Sequence, residues 1–228
     1  MTRTGFLLFT SLLLTLSALG QDAGSASSTA SLPVITFTLD FPQSDPEHYS
    51  IQVSNSGQCS YESTARVSPE SEQADTFQLG FTMSEATRRR IFDLAARANY
   101  FQSAVDSKRR VASTGAKTLA YKDTQRSTKI KYNYSNFPLI QELTGLFQNI
   151  AQTLEFSRRL QYAYRYQKLA LDEELKRMDE MANGNNLPEM QAVAPILNQI
   201  AADPAVINVV RARAQRLAAL AARESARR

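Results

Sequence analysis

From Leu146 to Ala182 the chain contains neither proline nor glycine. No other feature constrains the fold so strongly. Without a residue that removes a backbone donor or relaxes φ, a stretch of this length reads as one helix. Asn136 is placed to cap its start, with Pro138 in the first turn, where a missing N–H costs little. Ile140, Leu143, Phe147, Ile150 and Leu154 form an apolar stripe at helical spacing. A helix of ~45 residues would run ~65 Å at about 1.5 Å per residue, longer than a domain of this size can cover. Its second half is therefore expected to leave the domain. The composition changes there: after Glu155 the chain turns rich in Arg and Tyr, then strongly charged. Asp172/Lys176, Glu173/Arg177 and Lys176/Glu180 supply i, i+4 pairs.

Upstream, the pattern changes to a period of two. Ile35, Phe37, Leu39 and Phe41 alternate with Thr36, Thr38 and Asp40; Tyr49, Ile51 and Val53 repeat the alternation. Asn55-Ser56-Gly57 suits a hairpin loop, with Gly57 free to take positive φ. Cys59 and Tyr61 continue the return strand, a loop is expected over 63–74, and Phe77, Leu79 and Phe81 mark another strand. Thr82 or Ser84 caps a helix to about Phe101, Thr82 and Glu85 having capping-box spacing. After a loop at 102–116, Leu119 with Tyr121, and Ile130 with Tyr132 and Tyr134, read as a second hairpin. The fold class expected is α+β: an antiparallel sheet of five to six strands with one packed helix, then a long helix and a C-terminal helical subdomain.

Residues 1–20 have the form of a signal peptide. Arg3 gives a positive start, Phe6–Leu16 an apolar core, and Ala18-Leu19-Gly20 a cleavage site before Gln21. The apolar run falls short of the roughly 20 residues that span a bilayer. The expected organisation is a leader (1–20), a small polar N-terminus (21–32), an α+β domain (33–155), and a helical extension with a C-terminal helical pair (156–228). The expected location is periplasmic or secreted. Removal of Arg3 leaves 25 Lys+Arg against 22 Asp+Glu, a net of +3, which is no nucleic-acid signature.

One cysteine and one histidine limit the chemistry. Cys59 has no intramolecular disulfide partner and alternates with Tyr61, which suits burial. His48 alone cannot supply a multi-histidine metal site, and no G-x-S-x-G turn accompanies it. Ser113–Thr118 (STGAKT) departs from a phosphate loop: the lysine comes one residue late, the earlier glycine is missing, and a strand follows. Arg88, Arg89 and Arg90 cannot share one helix face. Asn133-Tyr134-Ser135 is a formal glycosylation sequon. No catalytic residue, cofactor or metal site is expected.

Two features point to binding. Tyr162, Tyr164 and Tyr166 interleave with Arg158, Arg159 and Arg165, and these residue types are enriched at protein interfaces. Residues 205–228 carry six arginines, Arg211, Arg213 and Arg216 among them, against Glu224 alone. Such a segment suits an acidic partner or, weakly, an anionic membrane surface. Arg213 falls inside the apolar face of its helix and needs an acidic partner or an external contact. Gly184 is a plausible helix end, Pro188 starts one further helix, and Asp203-Pro204 starts another. Pro195 should kink the first or shift its start.

The segment from Phe77 to Glu155 combines a strand, the helix IFDLAARANYF (Ile91–Phe101), the hairpin segments KTLAYKD (Lys117–Asp123) and YNYS (Tyr132–Ser135), and a helix. In this it resembles exported bacterial domains of unknown function. The resemblance implies a bacterial exported protein and transfers no activity. The function expected is a non-catalytic exported protein that holds a protein partner, a second copy or the envelope. The alternatives are a small-ligand or acidic-polymer binding module with Tyr49, Tyr61, Tyr121, Tyr132 and Tyr134 on the sheet face, and a hydrolase built on two carboxylates.

Overall fold

The computed structural model describes residues 32–42, 44–66, 74–103, 105–107 and 112–227. The leader, the polar stretch to Ser31 and the middles of the two expected loops lie outside the described residues. Six strands follow the alternation: β1 (Val34–Asp40), β2 (His48–Ser54), β3 (Gln58–Arg66), β4 (Ala74–Thr82), β5 (Ala116–Lys122) and β6 (Ser127–Tyr132). They form one antiparallel sheet in the order β4-β3-β2-β1-β5-β6. Gly57 closes the β2–β3 hairpin at φ 91°, the region open to glycine without steric cost. The expected loop over 63–74 is shorter at both ends, because β3 and β4 pair without interruption from Gln58↔Thr82 to Arg66↔Ala74.

Period-two alternation gives the sheet two unlike faces. Ile35, Phe37, Tyr49, Ile51, Val53, Tyr61, Leu119 and Tyr121 are buried on one. That side is covered by α1 (Glu85–Arg97) and by the first half of α2 (Pro138–Tyr166). Phe147 of α2 stacks on Phe37, ring centroids 5.1 Å apart. The other face carries Thr36, Ser50, Gln52, Ser60, Glu62, Gln78 and Gly80, which line a shallow polar depression. This corrects the expected tyrosine-lined sheet face. Tyr49, Tyr61, Tyr121 and Tyr132 all point into the helix-covered core, and Tyr134 lies beyond the end of β6.

Ser84 caps α1: its side chain accepts from Thr87 N. The expected Thr82–Glu85 box is replaced from far away. Glu189, fully buried, accepts from Ser84 N (2.8 Å) and Ser84 Oγ (2.6 Å). A carboxylate there satisfies helix-end donors and complements the dipole. Asn136 does not cap α2. Phe137 occupies the cap position with no side-chain bond, and Ser135 Oγ accepts from Phe137 N.

The long helix is also corrected. It ends at Tyr166, the chain breaks at Gln167 (φ −143°, ψ 61°) and Lys168–Ala170 form a 3-10 turn. α3 (Leu171–Asn183) then folds back, followed by α4 (Ala194–Ala202) and α5 (Asn208–Arg227). A straight helix would leave Leu171, Leu175, Met178 and Ala182 in water; the fold-back buries all four with Phe156, Leu160 and Ala163 of α2. α4 begins at Ala194 with Pro195 in its first turn, so the proline shifts the start. α5 starts at Asn208, four residues after Pro204, while Asp203 accepts from Ala205 N in the preceding turn. The two helices pack on the chain's own α2 and α3. Along α2 the apolar residues divide between a sheet core up to Leu154 and a helical core from Phe156 on.

Cys59 is buried in the sheet core, and desolvation pushes its thiol up to about 12. The thiolate is the reactive species. Alkylation at pH 8 should leave native Cys59 unmodified over hours and label it fully in denaturant; fast native labelling would contradict this placement.

Candidate functional site

Between the two cores, at the point where α2 leaves the sheet, sits Glu155, 3 % exposed. Its Oε1 accepts from Tyr61 Oη (2.6 Å) and Ser63 Oγ (2.7 Å), both on β3. Its Oε2 accepts from Arg158 Nε (2.6 Å), one helical turn on. A second guanidinium nitrogen of Arg158 donates to Asp45 (2.8 Å). Burial raises the Tyr61 hydroxyl far above its ordinary value, and the neighbouring Glu155 charge adds to the rise. Tyr61 is held as a neutral donor. Both carboxylate oxygens accept from fixed donors, so Glu155 clamps the helix to the sheet.

The nine residues singled out as an interaction surface separate into two groups. Arg158 is consumed by Glu155 and Asp45. Arg159 lies over the Phe156 ring and pairs with Glu174 (3.1 Å). Tyr164 packs against the helical core with the Lys168 ammonium over its ring. Arg213 finds its acid: it donates to Asp172, which also binds Lys176 (2.6 Å). Arg211 donates to the Ala201 carbonyl (3.1 Å), and Arg216 lies 3.5 Å from Asp179. These contacts are intramolecular. They hold the helical layer together and leave the basic segment less charge for a partner.

The second group faces out. Tyr162 and Tyr166 lie one turn apart with ring centroids 5.1 Å apart, and Arg165 sits over the Tyr166 ring. Tyr166 is 64 % exposed and Leu169, in the turn that follows, 91 %. Sequence reasoning missed Leu169, because a lone leucine between Lys168 and Ala170 carries no signal until the helix breaks there. Tyr162 also lines a cavity of about 150 Å³, with Asp75, Arg158, Ala163, Gln167 and Ala170. Asp75 belongs to β4, so the exposed corner adjoins the edge of the sheet. A run of exposed aromatic and aliphatic side chains beside a cavity and one guanidinium is suited to holding another chain.

The other polar groups singled out in the sequence make contacts within the chain. Arg88 donates to the Asn55 carbonyl, Arg89 pairs with Glu85 and Arg90 with Glu142. His48 Nδ1 lies 2.6 Å from Asp40. Lys117, 4 % exposed, donates to Thr114 Oγ1 (2.8 Å) and to the Thr114 and Asn133 carbonyls (3.0 Å each), tying the β5 start to the β6 end. Desolvation lowers its pKa. Asn133, the sequon residue, accepts from Thr114 N (2.9 Å) and donates to the Ala112 carbonyl. Among the described residues, no group of three or more His, Cys, Asp or Glu side chains is placed to hold a metal. No protein-family model matches the chain, and a search of curated proteins finds no match.

Removing Glu155 leaves Tyr61, Ser63 and one nitrogen of Arg158 without their buried acceptor, while Asp45 still holds Arg158. Glu155→Ala should lower unfolding free energy by about 3–5 kcal/mol, whereas Tyr166→Ala at the exposed corner should change it by less than about 0.5 kcal/mol. Denaturant titration checks both.

Proposed function

We propose that the chain is an exported, non-catalytic binding module that holds a polypeptide partner at the corner formed by Tyr162, Arg165, Tyr166 and Leu169. The observation that carries this reading is selective exposure. Most other arginines and tyrosines of the helical layer are engaged within the chain, while these four are exposed close together in sequence at the end of α2 and Tyr162 lines a cavity. Exposed large side chains grouped in this way mark interaction sites more often than scattered ones do. The leader-like N-terminus supports export. The sheet-face ligand module lacks the aromatic lining it required, and the buried carboxylate Glu155 has both oxygens occupied.

A photo-cross-linking side chain placed at position 169 in the host cell should give one dominant adduct. The same group at position 129, on the opposite side of the sheet, should give none of it, and Tyr166→Ala should weaken the adduct at 169 by at least fivefold. Equal adducts from both positions, or none from 169, would end the proposal. Export is read from the recovered protein, whose first residue should be Gln21 and not Met1.

A further inference from the structure

A cavity of about 370 Å³ lies where the turn between β1 and β2 meets α2 and α3. Asp45 and Pro46 of the turn line it, with Tyr49 of β2, one face of α2, and Arg177 and Met181 of α3. Small-molecule sites measure roughly 300–1,000 Å³, so the space is large enough for a ligand. Gln148, Gln152, Glu155 and Arg159 are the centre of the α2 wall. At about 100° per residue these four fall within about 60° of one another around the helix.

The charges in this wall are already answered. Arg158 donates to both acids, Asp45 and Glu155. Glu174 pairs with both bases, Arg159 (3.1 Å) and Arg177 (3.3 Å). Two acids against two bases leave no net charge among the described lining residues. A phosphate, a carboxylate or the charged ends of a short peptide would have to compete with an existing ion pair.

The polar groups left over are neutral. Among the described residues, the side chains of Gln148, Asn149 and Gln152 are exposed and make no hydrogen bond within the chain. Tyr49 adds a buried group: it is 5 % exposed, and its hydroxyl has no hydrogen-bond partner among the described residues. The other tyrosines of this core are bonded, Tyr61 to Glu155, Tyr121 to Asp123 and Tyr132 to Thr144. A buried hydroxyl left unpaired forfeits its hydration for nothing. Burial, with Tyr132 and Glu155 nearby, raises its pKa, so it stays a neutral donor. The apolar lining is slight, being Pro46, Ala151 and Met181. An apolar ligand would leave the carboxamides and the phenol unpaired. A ligand that donates and accepts around its whole perimeter would satisfy them, because each carboxamide also does both.

We infer that this cavity binds a neutral saccharide, whose hydroxyls pair with the carboxamides of Gln148, Asn149 and Gln152 and with the buried hydroxyl of Tyr49. A longer saccharide continues past Gln148, which also lines a neighbouring recess of about 340 Å³ together with Gln141 and Gly145. That recess is open at Gly145, where a Cβ would meet nothing within 4 Å. The site goes beyond the corner proposed for a polypeptide and does not rest on it.

Saturation-transfer NMR on the purified chain tests this, with glucose, N-acetylglucosamine, cellobiose and chitobiose as neutral probes and glucuronate, glucose 6-phosphate and trialanine as competitors in kind. At least one neutral sugar should bind, and no anion or peptide should bind as well. Its Kd should rise about fivefold or more in Tyr49→Phe and in the double variant Gln148→Ala, Gln152→Ala. Gln78→Ala removes the same kind of group from the polar depression on the open sheet face and should leave Kd unchanged. The Tyr49 hydroxyl has no partner to lose, so Tyr49→Phe should keep the wild-type denaturation midpoint, and weaker binding there is no folding effect. Failure of every neutral sugar to bind, a preference for an anion or for trialanine, or a Kd unmoved by one or both cavity variants would overturn the inference. A lowered midpoint in Tyr49→Phe would also end it, by showing that the hydroxyl is bonded within the chain.

Discussion

Everything in this fold hangs on one helix that belongs to two cores. Its first half seals the sheet through Ile140, Leu143, Phe147, Ile150 and Leu154; its second half is the wall on which α3, α4 and α5 pack through Phe156, Leu160 and Ala163. Glu155 sits between these sets and is fastened to β3 and to Arg158. A buried carboxylate carries a desolvation cost that only complete hydrogen bonding offsets. That requirement fixes the helix in rotation and in height over the sheet. Glu189 makes a second tie by reaching from the helical layer to the N-terminus of α1. The described residues form one compact unit as a result.

What this architecture offers a partner follows from what it uses up. Arg158, Arg159 and Arg213 are drawn into ion pairs inside the chain, and four tyrosines of the strands fill the sheet core. Tyr162, Tyr166 and Leu169, all exposed, lie where α2 breaks, while other exposed large side chains such as Phe137, Ile207 and Val209 lie elsewhere. The break exists because α3 must fold back to bury its apolar face, so the exposed Leu169 turn is a consequence of packing. The same break places Tyr162 beside Asp75 at the start of β4.

Much of the architecture was legible in the sequence because each strand repeats with period two and each helix with a period near 3.6. Phe37, Ile51 and Tyr61 announce a sheet with one buried face; Phe147 and Leu154 announce a helix over it. The legible part ends where distant residues decide. Nothing near Ser84 indicates that its acidic partner comes from Glu189, 105 positions on. Nothing in the run from Leu146 to Ala182 marks Gln167 as the break, because the cause is the amphipathic face of α3 seeking α2. The open face of the sheet is not legible for a related reason. Tyrosine suits either side of a strand, and only pairing with Glu155 and Thr144 draws Tyr61 and Tyr132 inward. At the candidate site, Tyr162, Arg165 and Tyr166 could be picked out by type, yet their separation from Arg158 and Arg159 required three-dimensional neighbours.

The most direct test is native-state hydrogen exchange on the intact chain and on Glu155→Ala, followed at the slowest amides of β1 and β2 and of α4 and α5. If one helix unites the two cores, both sets reach a common free-energy ceiling in the wild type. Glu155→Ala should then lower that ceiling and separate the two sets. Different ceilings in the wild type, or a variant in which neither set moves, would contradict the account.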